Sequence, residues 1–119
     1  MAIDWEGELD PSEVLDFEMD FAGGTDSVLE AGETIASFSL ALTAEAALYG
    51  LRIKTGGGYT AALSAGNTAI IIWLDVDPLE AGNAAFDEGI KLGVMATIVT
   101  DSSPARTRQR TFNVTVKQL

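Results

Sequence analysis

The sequence predicts an all-β fold, an antiparallel immunoglobulin-like β-sandwich of about seven strands. Three observations predict it. Apolar and polar residues alternate with a period of two in several segments, as they do in half-buried strands. Turn residues such as glycine, proline and aspartate separate these segments, so each strand is short. The strands fit within a chain of 119 residues, which is the length of one domain.

The predicted organisation is an extended acidic N-terminal arm over residues 1–12 and a single immunoglobulin-like domain over residues 13–119. The arm contains Gly7 and Pro11, which are typical of irregular segments. Its one aromatic residue, Trp5, has two interpretations. Trp5 packs back on the domain, or it anchors the arm in a neighbouring subunit, a role for which tryptophan is favoured.

The first predicted strand covers residues 15–21, where apolar residues alternate with acids. Gly23 and Gly24 end it. Residues 34–42 form the second strand, although their apolar spacing also fits a helical stripe. The strand is favoured by Ser37, Ser39 and Thr43 and by the β segments on either side.

Residues 48–55 are predicted as a third strand, the triple glycine that follows as a turn, and residues 59–64 as a short return strand. Residues 68–76 are β-branched and apolar on both faces, so both faces must be covered. Residues 78–88 hold one helical turn. The last two strands are residues 90–100 and 106–118, with a loop between them.

Composition argues against catalysis and against bound cofactors. The chain has no histidine and no cysteine, so it lacks the usual proton-transfer group, thiolate nucleophile and thiolate metal ligand. The carboxylate pairs Asp75/Asp77 and Asp87/Glu88 remain, but acids are so common here that they pair by chance. The alternating acids of residues 4–10 lack the glycine-centred spacing of a calcium loop. We therefore expect no enzyme activity, no catalytic residue, no metal and no cofactor.

The charge balance favours protein partners. The net charge of −11 argues against nucleic acid, whose phosphates are bound by cationic groups. The longest apolar run, residues 69–74, is too short to cross a membrane, and the N-terminus has no features of a secretion signal. Residues 1–51 contain no lysine or arginine at all. We expect neither nucleic acid nor membrane as a partner.

Two rows of charge are the most specific feature of the sequence. Each consists of three residues at every second position of a predicted strand, so each row shares one face of its strand. The acidic row lies in the first strand and the basic row at the start of the last. The acidic row is Asp16, Glu18 and Asp20, and the basic row is Arg106, Arg108 and Arg110.

The basic row conflicts with the core pattern of its own strand. Phe112 and the apolar residues after it have the same parity as the arginines, so a regular strand points all of them the same way. Unpaired arginines cannot enter an apolar core. Either a bulge lies near Arg110 and Thr111, or the first half of the strand projects beyond the sandwich.

The two rows allow two interpretations. They neutralise each other inside one molecule, or the basic row docks on an acidic surface of another subunit. Head-to-tail contacts of that kind close into rings, and the planar guanidinium binds carboxylates with two hydrogen bonds. The second interpretation predicts a homo-oligomer, in a ring or another symmetric assembly. Its interface residues are Trp5, Asp16, Glu18, Asp20, Arg106, Arg108 and Arg110.

Three segments resemble a known family. They are residues 10–17 (DPSEVLDF), residues 29–35 (LEAGETI), and residues 98–101 with residues 106–114 (IVTD and RTRQRTFNV). In this order they resemble small virion proteins of tailed bacteriophages, the fibre–tail adaptors, which have an immunoglobulin-like fold. Asp20-Phe21 departs from the "DW" of that family.

The resemblance implies a non-enzymatic virion structural protein that links the tail or baseplate to fibres and is made in the bacterial host cytoplasm. Its partners would be other virion proteins of the tail, baseplate, fibre or capsid. One alternative is a capsid decoration protein. Another is a carbohydrate-binding or adhesive module, for which the available aromatics are Trp5, Tyr49, Tyr59 and Trp73.

Overall fold

The computed structural model describes residues 2–22 and 28–119, so the predicted break at Gly23 and Gly24 lies outside the described residues. Within them the chain forms eight strands and two short helices. None of these helices is long and apolar enough to cross a membrane. In chain order the elements are β1 (Ala2–Leu9), β2 (Leu15–Asp20), β3 (Ile35–Leu42), α1 (Ala44–Leu48), β4 (Leu51–Ile53), β5 (Ala62–Leu63), β6 (Ala69–Val76), α2 (Ala85–Glu88), β7 (Ile90–Thr100) and β8 (Thr107–Val116).

The strands form two sheets that share one core, so the all-β prediction is confirmed. Sheet A has the order β1-β8-β7-β3, and sheet B has the order β2-β6-β4, with β5 also paired to β6. All pairs are antiparallel except β1 with β8, which is parallel. The expectation of a wholly antiparallel arrangement is therefore wrong at β1. That strand runs beside β8 and in the same direction before the chain crosses to sheet B.

The N-terminal segment is part of the domain and not an arm outside it, because β1 is an edge strand of sheet A. Trp5 shows how it is held. Its ring stacks on Phe112 of β8 at 5.4 Å and contacts Phe17 of β2 at 4.9 Å. Its Nε1 donates to the backbone oxygen of Glu18 at 2.7 Å. Trp5 therefore packs on its own domain and joins the two sheets along one side.

The core lies between the sheets and follows the predicted alternation. Every second residue of β2, β6, β7 and β8 points inward, and burying each large side chain stabilises the fold by about 1.5–3 kcal/mol. In β6 the core-facing residues are fully buried, whereas Ile71 and Trp73 on the outer face are half-buried. Residues with no exposed surface include Met19, Ile70, Ile72, Leu74, Leu92, Val94, Ile98 and Val114.

The region between β3 and β4 differs from the prediction. Residues 48–55 were expected to form a strand, but the strand is shortened to β4 and preceded by α1. The alanine-rich segment after Leu42 has high helix propensity. Thr43 caps α1, because its side-chain oxygen accepts a hydrogen bond from Ala46 N at 3.2 Å. The predicted strand is therefore correct as far as Leu42, and the helical alternative is correct for the residues of α1.

The packing of Phe112 generates a stability prediction. Its ring is 2% exposed and contacts Trp5 and Phe21. Phe112→Ala should lower the free energy of unfolding by about 3–5 kcal/mol, since it leaves a cavity between the sheets. Phe38→Ala on the half-buried edge strand β3 is the matched control and should cost less than half as much. Denaturant unfolding measures both, and equal losses would contradict the described core.

Candidate interaction surfaces

The acidic row lies on the outer face of sheet B. Its three side chains are exposed, while Phe17 and Met19 between them are buried. On the neighbouring strand β6, Trp73 lies opposite Asp16 and Ile71 lies opposite Glu18. The row therefore borders a half-buried apolar strip. Its role as an interface stays a prediction.

The basic row lies on the core side of sheet A, because the strand that carries it is regular. β8 pairs with β7 in a single register along residues 90–99, without any shift. The predicted bulge near Arg110 and Thr111 is therefore wrong. The arginines keep the parity of Phe112, and the strand does not rotate between them.

Arg108 and Arg110 are half-buried at the end of sheet A that β1 does not reach. Their neighbours on β7 are Ile98 and Ala96, which have no exposed surface. β1 pairs with β8 only from Thr111 onward. The arginine half of β8 thus extends beyond β1. This agrees in part with the prediction that the first half of the strand projects beyond the sandwich.

The two rows do not neutralise each other. They lie on strands of different sheets, and no ion pair joins them anywhere in residues 2–22 and 28–119. In the same part of the chain, Arg108 and Arg110 have no carboxylate partner. Arg110 Nη1 donates instead to the backbone oxygen of Gln109 at 2.8 Å. The interpretation of mutual neutralisation is therefore wrong.

Arg106 differs from the other two arginines because it is held inside the chain. Its Nε donates to Glu33 Oε2 at 3.2 Å, and its Nη2 donates to the other oxygen of the same carboxylate. Nη2 also donates to Val28 O at 3.3 Å, and Nη1 contacts Glu30 Oε1 at 3.4 Å. The Glu33 side chain is only 5% exposed. Arg106 is therefore held by carboxylates of its own chain, and its predicted role in an interface stays a prediction.

Hydrogen bonds extend this ion pair into a network that joins two loops. Arg106 N donates to Thr100 Oγ1 at 2.9 Å, and Asp101 Oδ1 accepts from Thr34 N at 2.9 Å. The guanidinium of Arg106 is the main cause that lowers the pKa of Glu33, and Glu33 in turn raises the pKa of Arg106. Backbone hydrogen bonding from Thr34 lowers the pKa of Asp101. The loop before β3 and the loop before β8 are therefore fixed to each other.

A second charged pair lies on the outer face of sheet B. Arg52 of β4 and Asp75 of β6 are directly opposite, and Arg52 donates to both carboxylate oxygens at 3.1 and 2.6 Å. Beside them, Lys54 Nζ lies 5.2 Å from the centre of the Tyr59 ring, which contacts Trp73 edge to face at 5.3 Å. Asp75 is thus part of an ion pair across β4 and β6.

Sequence reasoning missed Glu33 and Arg52, the partners of Arg106 and Asp75. Glu33 and Arg106 are 73 residues apart, and no spacing rule relates positions so distant in the chain. One signal was available, since both belong to segments that resemble the adaptor family. Arg52 and Asp75 are a cross-strand pair, which can be found only when the pairing of β4 with β6 is known.

No protein-family model matches the chain, and no curated protein matches it in sequence. In the part of the chain that the structure describes, no three carboxylates converge in a way that could hold a metal ion. The candidate binding surfaces are the acidic row, the pair Arg108 and Arg110, and the outer face of sheet B.

The low pKa of Glu33 predicts a pH-dependent contribution to stability. Its pKa is lower in the folded chain than in the unfolded chain, where it is about 4.3. The contribution is therefore complete above that pH and is lost as the pH falls below it. Glu33→Gln should lower the melting temperature at pH 7, and the difference from the natural chain should shrink as the pH falls from 4 towards 2.

Glu30→Gln is the matched control, because Glu30 is 76% exposed and its contact with Arg106 is long. Surface ion pairs of this kind contribute little, so the control should melt close to the natural chain at every pH. A Glu33→Gln difference that stays constant from pH 7 to pH 2 would show that the ion pair does not stabilise the fold.

Proposed function

We propose that this chain is a non-enzymatic structural protein that works through contacts with other proteins, and that it is a virion component of a tailed bacteriophage. Its role there would be to link the tail or baseplate to fibres. The immunoglobulin-like class of its all-β fold is part of this proposal. It is supported by two four-stranded sheets around one core, an arrangement typical of such sandwiches.

The observation that carries the proposal is the separation of opposite charges on one small domain. Arg108 and Arg110 lie at one end of sheet A, and the acidic row lies on the outside of sheet B. Half-buried arginines are costly to leave without an anion. A carboxylate of a neighbouring protein would satisfy each guanidinium with two hydrogen bonds, which is how arginine contributes to interfaces.

The spatial arrangement of the resembling segments gives further support. Residues 29–35 and 106–114 are far apart in the chain, yet Glu33 and Arg106 join them through an ion pair. The loop before β3 and the start of β8 are therefore adjacent to each other, beside Arg108 and Arg110. A surface fixed in this way is rigid, and a rigid surface loses little entropy when it binds a partner.

Replacement of the two free arginines tests the proposed docking surface. Arg108→Gln with Arg110→Gln should reduce the amount of the chain in purified particles at least about tenfold, because the contacts with partner carboxylates are lost. Mass spectrometry of the particles measures this amount. The melting temperature of the purified variant should stay close to that of the natural chain.

The matched control is Thr107→Glu with Gln109→Glu. These residues are exposed on the opposite face of β8, and the control changes the net charge by the same amount. It should enter particles normally. If the natural chain is absent from the particles, the virion assignment is wrong; if the arginine variant is retained at the natural level, the docking surface is wrong.

The position within the particle distinguishes the fibre adaptor from a capsid decoration protein. Both roles need the same kind of surface, so the geometry of the chain does not separate them. Imaging of the intact particle does. Density for the chain at the tail or baseplate supports the adaptor role, and density on the capsid supports decoration.

A carbohydrate-binding module is the second candidate, and one observation favours it. Tyr59 and Trp73 lie together on the outer face of sheet B, and both rings are partly exposed. Their edge-to-face contact does not form the flat platform on which sugars stack. We therefore expect no binding on a glycan array; binding that Trp73→Ala abolishes and that Leu79→Ala, at an exposed position, leaves intact would instead favour this second function.

A further inference from the structure

Strand β3 is an open edge of the domain. It lies at the end of sheet A farthest from β1, and among the described strands it pairs only with β7. Thr43 N donates a hydrogen bond to Gly93 O, the residue opposite it in this register. The residues of β3 that bond to β7 are therefore those at odd positions. In an antiparallel ladder the residues between them direct their N–H and C=O groups outward. These residues are Phe38, Leu40 and Leu42, and none of their outward groups has a backbone partner within residues 2–22 and 28–119.

This edge lacks the devices that normally prevent strands from pairing. β3 contains no charged residue and no proline. Its one irregularity lies at its beginning, between Ile35 and Ser37. The exposed side chains that follow are the small Ser37, Ser39 and Ala41. An approaching strand therefore meets no charge on either face of β3 and only small side chains on the outer face.

The other long edges are protected. β1 carries exposed Glu6 and Glu8, and its register with β8 is irregular. On β2, the backbone oxygen of Glu18 already accepts a hydrogen bond from Trp5 Nε1. β2 carries the acidic row. Two copies that met at β1 or β2 would place like charges next to each other, which destabilises strand pairing. In a chain with a net charge of −11, β3 is thus the long edge at which two identical copies can meet without repulsion.

The core side of β3 is also incompletely covered. Phe38, Leu40 and Leu42 are half-buried, whereas Ile98 and Ala96, their neighbours on β7, have no exposed surface. Sheet B therefore covers β7 fully but β3 only in part. A further strand beside β3 would continue the same apolar row and would remove more of these three side chains from water.

From these observations we infer that β3 pairs with β3 of a second copy of this chain, antiparallel and about a two-fold axis at Leu40. The outward N–H and C=O groups of β3 lie at even positions. Leu40 therefore lies opposite Leu40 of the second copy, and Phe38 lies opposite Leu42 of the second copy. Three such pairs exchange two hydrogen bonds each, about six bonds in all. The two copies of sheet A become one continuous sheet. The inference specifies one contact of the proposed assembly and rests on the proposed structural role for its place in a particle.

A single cysteine tests the register, since the natural chain contains none. The Cα atoms of a hydrogen-bonded antiparallel pair are about 5.5 Å apart, which is within the range for a disulfide. Leu40→Cys should therefore give mostly covalent dimers under mild oxidation. Ser37→Cys is the control on the same strand. It should form no covalent dimer under the same oxidation, because the two copies of residue 37 would be about 20 Å apart.

A pair of lysines provides a second test at exposed positions. Ser39→Lys with Ala41→Lys places like charges opposite each other twice across the two-fold axis and should raise the dimer dissociation constant about tenfold. Thr107→Lys with Gln109→Lys adds the same charge to β8 and should leave the constant unchanged. Analytical ultracentrifugation over a range of concentrations measures both, and thermal unfolding shows that each variant is folded.

Two results would overturn the inference. One is a natural chain that stays monomeric up to millimolar concentration; the other is a dimer that neither cross-links at residue 40 nor weakens with the lysine pair on β3. Neither result would affect the proposed virion role, which depends on the presence of the chain in particles. An absence from particles together with a dimer at β3 would reject the virion role and leave the dimer in place.

Discussion

The unbroken pairing of β7 with β8 is the constraint on which the rest of the structure depends. Because the register does not shift, the even-numbered residues from 106 to 116 all point to the same side of sheet A. That side carries arginines in the first half of the strand and core residues in the second. The apolar half lies under Trp5 and sheet B. The arginine half has to lie where the sandwich ends, and this places Arg108 and Arg110 at a boundary where a partner protein can reach them.

The two sides of the domain differ in how they are closed. On the side of β1 and β2, Trp5 bridges the sheets through two aromatic contacts and one hydrogen bond, and exposed acids line both edges. At the end of sheet A next to the arginines, Glu33 and Arg106 fix two loops to each other. On the side of β3, α1 connects the two sheets after Leu42, but the outward backbone groups of Phe38 and Leu40 have no backbone partner among the described residues. The open edge of β3 is therefore the one at which we propose that a second copy binds.

The strands could be predicted from the sequence because alternation with a period of two is a local signal, and it located β2, β6, β7 and β8 well. The switch from strand to helix after Leu42 was ambiguous, because the same apolar residues fit both periods and a capping threonine decides between them. The parallel pairing of β1 and the partners of Arg106 and Asp75 could not be predicted. They depend on the order of strands in each sheet, and contacts between residues so distant in the chain leave no trace in its spacing.

We propose that this domain contacts other proteins through Arg108, Arg110 and the outer edge of β3, of which the edge is the most sharply defined surface. Amide hydrogen exchange followed by NMR at low and high protein concentration is the decisive measurement for that edge. The amides of Phe38, Leu40 and Leu42 should exchange rapidly in dilute solution and slowly in concentrated solution. The amides of Ser39 and Ala41, which bond to β7, should exchange slowly in both. Exchange of the Phe38, Leu40 and Leu42 amides at the same rate at both concentrations would contradict the proposed contact at β3.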